Sequence, residues 1–294
     1  MSDSKNNWIF FGTSAFSVLV LEELRSAGFL PALVVTAPDA PKGRKLVMTP
    51  PEVKVWADQH GVPSIQPVSL RVEKNPGILE QIQSHSLSGF EFAVVASYGK
   101  IIPQNILDIP RAGCLNVHPS LLPKLRGASP IQSAILNENE TGVTIIRLDA
   151  EMDHGPIVAS EKVLMPEWPP YESDLENLLG RKGGKLLSKI VPDWLAGKII
   201  ETEQNHAKAT FCKKIEKQDG LLDLSDDADT NLRKIRAYQT WPGAYFFTDR
   251  NGKQIRVIIK RAKKFDSELL IERVVPEGGK EMNYEDFKRG FIRW

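Results

Sequence analysis

Asn116-Val117-His118-Pro119-Ser120-Leu121-Leu122-Pro123-Lys124-Leu125-Arg126-Gly127 is the stretch on which the reading of the fold turns. Asn116 and His118 stand two apart in an apolar run with Cys114, Leu115 and Val117. On a strand, both polar side chains therefore leave the same face. Pro119 cannot donate to a ladder and keeps His118 extended, which puts the pair at the end of a strand and not in its middle. Strand ends facing a crevice are where open α/β sheets take their ligands.

Outward from this stretch, apolar runs alternate with segments of helical spacing. Residues 8–11 are apolar, Gly12-Thr13-Ser14 follows, and Phe16, Val20, Leu21 and Leu24 then recur at helical intervals, which reads as strand, tight turn and helix. Residues 33–36, 63–65, 92–96, 142–148 and 157–164 are further strand candidates. Residues 53–57, 78–83, 105–107, 129–136 and 175–191 are helix candidates, the last weakened by Gly183-Gly184. The alternation predicts an α/β fold, a Rossmann-like domain with a mostly parallel sheet. A dinucleotide fingerprint would require glycine where Ser14 and Ser17 stand, and Lys185 lacks the spacing of a phosphate loop, so neither nucleotide motif is present.

After residue 205 the texture changes. A helix is expected at 232–238, then Trp241-Pro242-Gly243-Ala244-Tyr245-Phe246 and short β-rich runs with turns at Arg250-Asn251-Gly252-Lys253 and Pro276-Glu277-Gly278-Gly279. This predicts a division into a larger domain at 1–204 and, at 205–294, a linker with a small, β-rich, OB-like and possibly truncated domain. The length of 294 residues agrees with two such units.

Composition narrows the class. Hydrophobic residues at 41% and charged residues at 26% are those of a globular protein. No apolar run approaches the roughly 18 residues that span a bilayer, and the polar start is no signal peptide, so a cytoplasmic location is expected. Cys114 and Cys212 are the two cysteines and form no C-x-x-C pair, which speaks against a disulfide framework and a cysteine zinc site; no metal is expected. The net charge of +1 hides an asymmetry: residues 205–294 carry 19 Lys/Arg against 14 Asp/Glu, and residues 250–264 hold seven Lys/Arg and no acid. Such an appendage suits a polyanionic partner. A solvated hairpin with charged edges that resist aggregation fits the same residues.

The chemistry follows from what could join Asn116 and His118. The strand at 142–148 exits into Asp149-Ala150-Glu151-Met152-Asp153-His154-Gly155, which is either a polar loop or a source of a carboxylate for the crevice. An Asn amide can donate to a developing oxyanion, and an imidazole can do the same while moving protons. A carboxylate can set the imidazole tautomer and accept a proton from an attacking amine. That set suits a transfer through a tetrahedral intermediate to an amine the substrate brings, with no Ser or Cys nucleophile. Cys114 shares the face by parity and reads as a small core filler. In isolation His118 would read as a structural histidine; the P-S-L-L-P context and the acidic loop reverse that. Gly99, after the strand at 92–96, permits a backbone turn close to a ligand, though a plain connection would use it too. The loop at 38–51, with Lys42, Arg44 and Lys45, is either a basic arm or a solvated connection.

Several motifs together carry a resemblance. They are N-V-H-P-S-L-L-P-K-L-R-G-A-S-P-I at 116–131, L-D-A-E-M-D-H-G-P-I at 148–157, F-G-T-S-A-F at 11–16, V-V-A-S-Y-G-K-I-I-P at 94–103, A-T-F-C-K-K-I at 209–215 and I-R-A-Y-Q-T-W-P-G-A-Y-F at 235–246. Over nearly its whole length the chain resembles the folate-dependent formyltransferases. The resemblance implies that the formyl donor is 10-formyltetrahydrofolate and that Asn116, His118 and Asp153 form the catalytic group. It implies that Ser120, Leu121, Leu122 and Pro123 line the tetrahydrofolate site, and that Tyr98, Gly99 and Ile101 lie in the loop that cradles the pterin. Phe16 is implied to lie near a bound aminoacyl group. Lys42, Arg44 and Lys45 are implied to face the acceptor arm of a tRNA, with Lys213, Lys214 and the basic tail supplying phosphate contacts.

Within the family, the W-P-G-A-Y stretch and the β-rich tail imply methionine on initiator tRNA as acceptor, with a monomer as the default. The alternatives are N-formylation of an amino sugar nucleotide, which shares the Asn, His and Asp, and an RNA-binding module whose folate domain has decayed. Three departures stand out: a loop at 38–51 short in its basic part, His154 where Thr is more usual, and a short tail.

Overall fold

Trp8–Gly12 forms β1, buried at every position, and an unbroken apolar strand of this kind belongs at the centre of a sheet covered on both faces. The computed structural model describes residues 6–43, 46–250 and 252–290. The other strands of the main sheet are β2 (Leu33–Val35), β3 (Ser64–Ile65), β4 (Phe92–Ala96), β5 (Cys114–His118), β6 (Thr141–Arg147) and β7 (Ile157–Val163). Their order is β7-β6-β5-β4-β1-β2-β3. The five strands from β3 to β5 are parallel, whereas β6 pairs antiparallel with β5 and β7 antiparallel with β6. The mostly parallel α/β sheet expected from the sequence is present, with an antiparallel edge.

From β1 the chain runs outward through β2 and β3, then returns to the other side of β1 for β4 and β5. The carboxyl ends of β1 and β4 thus form a topological switch point, the place where open α/β sheets take their ligands. The two exits are tied together: Ser14 Oγ donates to Ser97 Oγ at 2.9 Å and Thr13 Oγ1 to the Tyr98 carbonyl at 3.1 Å. Helix α1 (Ala15–Ser26) starts here. Ser17 explains why this turn is not a phosphate nest. Its hydroxyl donates to the Ala96 carbonyl at 2.6 Å and accepts from the amides of Thr13 and Ser14 at 3.0 and 3.2 Å, so the donors a pyrophosphate would need are already used.

Helices α2 (Glu52–Gln59), α3 (Ile78–Gln83) and α4 (Gln104–Leu107) fall where the spacing predicted. The loop at 38–51 differs from the expected turn-rich connection, because Ala40–Lys42 pairs antiparallel with Val47–Thr49 as a small hairpin. After α5 (Pro130–Asn137) comes α6, a continuous helix over Glu172–Leu195. Its glycines do not interrupt it. A Cβ on Gly183 would lie 2.5 Å from Val117 Cγ1, and one on Gly184 would lie 2.7 Å from Glu23 Cβ, so both residues allow close packing, and the Gly183 contact seals the side of β5 opposite Asn116 and His118.

The chain divides into two compact units, one of Met1–Gly127, Thr141–Val163 and Asn177–Phe211, the other of Ala128–Glu140, Leu164–Glu176 and Cys212–Trp294. The second unit contains α5, α7 (Ala228–Ala237), β8 (Tyr245–Arg250), β9 (Lys253–Phe265), β10 (Glu268–Pro276), β11 (Met282–Asn283) and α8 (Tyr284–Arg289). Its four strands pair antiparallel in sequence order. Leu232 and Ile235 of α7 and Phe287 of α8 join Phe246, Val257, Ile259 and Val274 of the sheet in one apolar cluster. The amphipathic helices are what give so small a sheet a covered face. Arg233 of α7 donates to the carbonyls of Ile135 and Glu138 at 2.9 and 2.8 Å, which ties α5 to this unit.

Candidate active site

Asn116 and His118 leave one face of β5 at its carboxyl end, in register with Ile146 and Thr144 of β6. Thr144 faces the same region and anchors the turn that follows. Its hydroxyl donates to the Ser120 carbonyl at 2.7 Å and accepts from the Leu122 amide at 3.1 Å, while Ser120 Oγ donates to the Lys124 carbonyl at 2.6 Å. The turn then reverses through Leu125, whose φ of 60° is left-handed. Leu125 is held from outside: its amide donates to Thr210 Oγ1 at 2.9 Å, and the next amide, of Arg126, donates to the Thr210 carbonyl at 2.9 Å. Thr210 is the threonine of the A-T-F-C motif, and this is its local role.

Asp153 arrives from the loop after β6. It is only 9% exposed and has a left-handed φ of 52°. Its Oδ1 accepts from Asn116 Nδ2 at 3.4 Å and lies 3.5 Å from His118 Nδ1, and its Oδ2 accepts from the Gly127 amide at 2.8 Å. His118, 3% exposed, places Nε2 3.0 Å from the Leu125 carbonyl. A carbonyl only accepts, so Nε2 carries hydrogen, and Nδ1 is the nitrogen turned to the carboxylate. Burial alone would push the Asp153 carboxyl up; the charge and hydrogen bond of His118, the Gly127 amide and the charge of Arg126 outweigh it and hold the carboxyl below its ordinary range. The site thus offers an amide donor, an imidazole and an ionised carboxylate, all fixed before any substrate arrives.

Of the residues implied for the folate loops, Ser120, Leu121, Leu122 and Pro123 form the turn beside His118, and the Ser120 hydroxyl serves that turn's own backbone. Tyr98 offers only main chain at the switch point. Its ring is in the core, edge-on to Phe11 at 5.6 Å, and burial pushes its phenol well above its ordinary value. Ser97 (φ 48°) and Gly99 (φ 76°) both turn left-handed there, and Ile101 is exposed. Cys114 packs in the core with its thiol pushed up to about 12 by burial and the Asp108 charge.

Phe16 is 2% exposed, in the first turn of α1. Lys42 pairs with Glu52 at 2.8 Å beside the hairpin, and Arg44 and Lys45 lie outside the described residues. Lys213, paired with Asp219 at 2.9 Å, and exposed Lys214 belong to the second unit. Sequence reasoning overlooked the backbone members, Leu125 O and Gly127 N, since main-chain groups have no side-chain signature; their presence inside the motif was the available signal. It also overlooked Arg126 and Gln204, of which Gln204 lies in no motif.

Comparison with known proteins gives the family. The formyl transferase model matches residues 6–191, and that of the formyl transferase C-terminal domain matches residues 214–264. The chain belongs to the formyl transferase family. It is 36% identical over 306 residues to the methionyl-tRNA formyltransferase of Bacillus subtilis, covering 96% of this chain and 94% of that protein. It is 42% identical over 251 residues to the methionyl-tRNA formyltransferase of Chloroflexus aurantiacus, covering 85% and 78%. Among solved structures, a methionyl-tRNA formyltransferase from Clostridium thermocellum superposes with a TM-score of 0.56 at 16% identity, covering 95% of this chain and 99% of that one. A sugar N-formyltransferase from Shewanella gives 0.63 at 19%, covering 88% and 98%. At such identities the superpositions speak to the fold alone.

Proposed function

We propose that this chain transfers the formyl group of 10-formyltetrahydrofolate to the amino group of methionine on initiator tRNA. The observation that carries the reading is the contact of Asn116 and His118 with one carboxylate oxygen of Asp153, in a chain whose full-length relatives are methionyl-tRNA formyltransferases. The folate is a co-substrate, and the turn at 120–123 with the left-handed exit at Ser97 and Gly99 offers main-chain groups to hold its ring. Attack by the amine on the formyl carbon places negative charge on the formyl oxygen. Asn116 Nδ2 and the His118 ring stabilise that charge, and Asp153 takes the proton the amine must lose. Since Asp153 stays ionised below the ordinary carboxylate range, it is competent as a base at neutral pH.

We assign the catalytic domain to residues 1–204 and the linker and OB-like tail to 205–294; the two family matches fall on either side of that boundary. Lys42, Lys213 and Lys214 are assigned to tRNA phosphates, together with Arg44 and Lys45. Phe16 is assigned to the wall beneath the aminoacyl group. An acceptor of this kind places the reaction in the cytoplasm; among the described residues no helix is long and apolar enough to cross a membrane. All three catalytic residues come from one chain, so a monomer suffices. The test is single-turnover formylation by Asn116→Ala, His118→Ala and Asp153→Ala proteins. Turnover is expected to collapse while folate binding is kept, and near-normal turnover in any one removes that residue from the mechanism.

A further inference from the structure

Gln204 takes no part in the reaction described above, yet it is 4% exposed and its amide is spent on the catalytic loop. Its Nε2 donates to the carbonyls of Asp153 at 2.9 Å and Gly155 at 2.7 Å, and its Oε1 accepts from Arg126 Nε and Nη2 at 3.2 and 2.7 Å. A guanidinium only donates and a carbonyl only accepts. The amide therefore fits in one orientation, with oxygen to Arg126 and nitrogen to the loop. The segment is brought there by an antiparallel bridge in which Ile157 and Thr202 exchange amide hydrogen bonds at 2.8 and 2.9 Å.

The loop needs such a partner. A non-glycine residue keeps a left-handed φ only where its surroundings impose it, and Asp153 has a φ of 52°. Gly155 is wedged against the end of β6, where a Cβ would lie 1.9 Å from the Arg147 carbonyl oxygen. Between these two points the backbone is gripped by one side chain. Arg126 is itself oriented on its far side, where Nη2 donates to His206 Nδ1 at 2.9 Å. His206 stacks on His154 at 4.1 Å, and His154 Nδ1 lies 2.8 Å from Asp149 Oδ2 in the same loop.

We propose that Gln204 is a positioning residue for formyl transfer: its amide clamps the main chain on either side of the catalytic loop's turn, which keeps the Asp153 carboxylate against Asn116, His118 and Gly127, and Arg126 sets the orientation of the clamp. The proposal rests on the reading of Asp153 as the group that takes the proton from the amine. A displacement of about an ångström in such a group is enough to cost on the order of a hundredfold in rate.

The test uses the full chain carrying Gln204→Glu or Gln204→Met, beside Asp153→Asn. A glutamate still accepts from Arg126 but offers no N–H to the two carbonyls, while methionine keeps the volume and loses both sets of bonds. Rates are divided by the fraction of protein that binds 5-formyltetrahydrofolate, so unfolded material does not count, and should Gln204→Met fail to fold, Gln204→Glu decides alone. The expected result is a fall in kcat of about ten- to a hundredfold, with KM for the donor and for charged tRNA within about twofold of wild type. Gln204→Glu turning over at the wild-type rate overturns the proposal, because the bond to Arg126 is then all that matters. A smaller folate-binding fraction with an unchanged rate per binding-competent molecule, or a rise in KM at unchanged kcat, overturns it as well. If Asp153→Asn retains turnover, it is the reading of Asp153 that fails; if Asp153→Asn is inactive beside fully active Gln204 variants, Gln204 alone is removed.

Discussion

The face of β5 and the sheet of the second unit both carry polar groups, and they hold them in opposite ways. At β5, Asn116, His118 and Asp153 are buried and bonded to one another and to main chain. In the tail the cations pair across open surface: Lys263 with Glu272 at 2.9 Å, Lys264 with Asp229 at 3.7 Å and Arg273 with Glu281 at 2.9 Å, each pair at least one-third exposed. Buried, directional contacts fix geometry, which catalysis needs. Exposed pairs exchange readily with water and with phosphate, and a site that must accept and release a large polyanion needs that instead.

If this contrast is right, substitutions in the first set should be severe and insensitive to salt, and those in the second mild and salt-dependent. The largest expected effect is that of Asp153→Asn, a loss of about 10²–10⁴-fold in kcat without change in the salt dependence of KM. The pH profile of the wild type sharpens the point. Because the folded Asp153 carboxyl lies below its ordinary value, its contribution to stability is complete above the unfolded value and is lost only as pH falls through the lowered one. The acid limb of kcat/KM, which reports the free enzyme, should likewise sit below the ordinary carboxylate range in wild-type protein, as a pH–rate series would show.

Next in size is Thr210→Val, which removes the acceptor of the Leu125 amide. About 1–2 kcal/mol of stability should go, read by urea unfolding, with a lesser fall in kcat as the Leu125 carbonyl loosens on His118. Glu172 gives a smaller effect within the second unit. It accepts from Thr240 Oγ1 and from Gln132 Nε2, and burial raises its carboxyl despite both bonds. Folded protein then holds that proton more tightly than unfolded chain, so stability is greatest below the unfolded value and falls as pH rises through the raised one. Glu172→Gln should flatten that fall just above the ordinary carboxylate range, measured as Tm against pH. Smallest of all should be Lys213→Ala, which is expected to leave kcat unchanged and lower the salt slope of tRNA binding by about one. A loss of kcat at saturating tRNA would blur the contrast between the two regions.

The same contrast decides what could be read from sequence. Asn116 and His118 were legible because a strand imposes a period of two and polar residues in an apolar run break it. Asp153 was legible as one of three acids at a strand exit, and the motif resemblance chose among them. The parallel sheet followed from the apolar runs at 8–11, 33–36 and 92–96. Gln204 was invisible, since it reaches the site through a bridge between Ile157 and Thr202 that is 45 residues long in sequence and leaves no periodic trace. The hairpin at Ala40–Lys42 and Val47–Thr49 hid behind Pro41; the burial of Phe16 followed from its place on the apolar face of α1, whereas that of the Tyr98 ring depended on packing that no local pattern encodes.

The measurement that bears most directly on the central claim is a single-turnover competition in which 10-formyltetrahydrofolate and the enzyme meet charged initiator tRNA and an amino sugar nucleotide together. The account predicts formyl-methionyl-tRNA as the product with the sugar amine untouched. Formylated sugar with unmodified tRNA would contradict it.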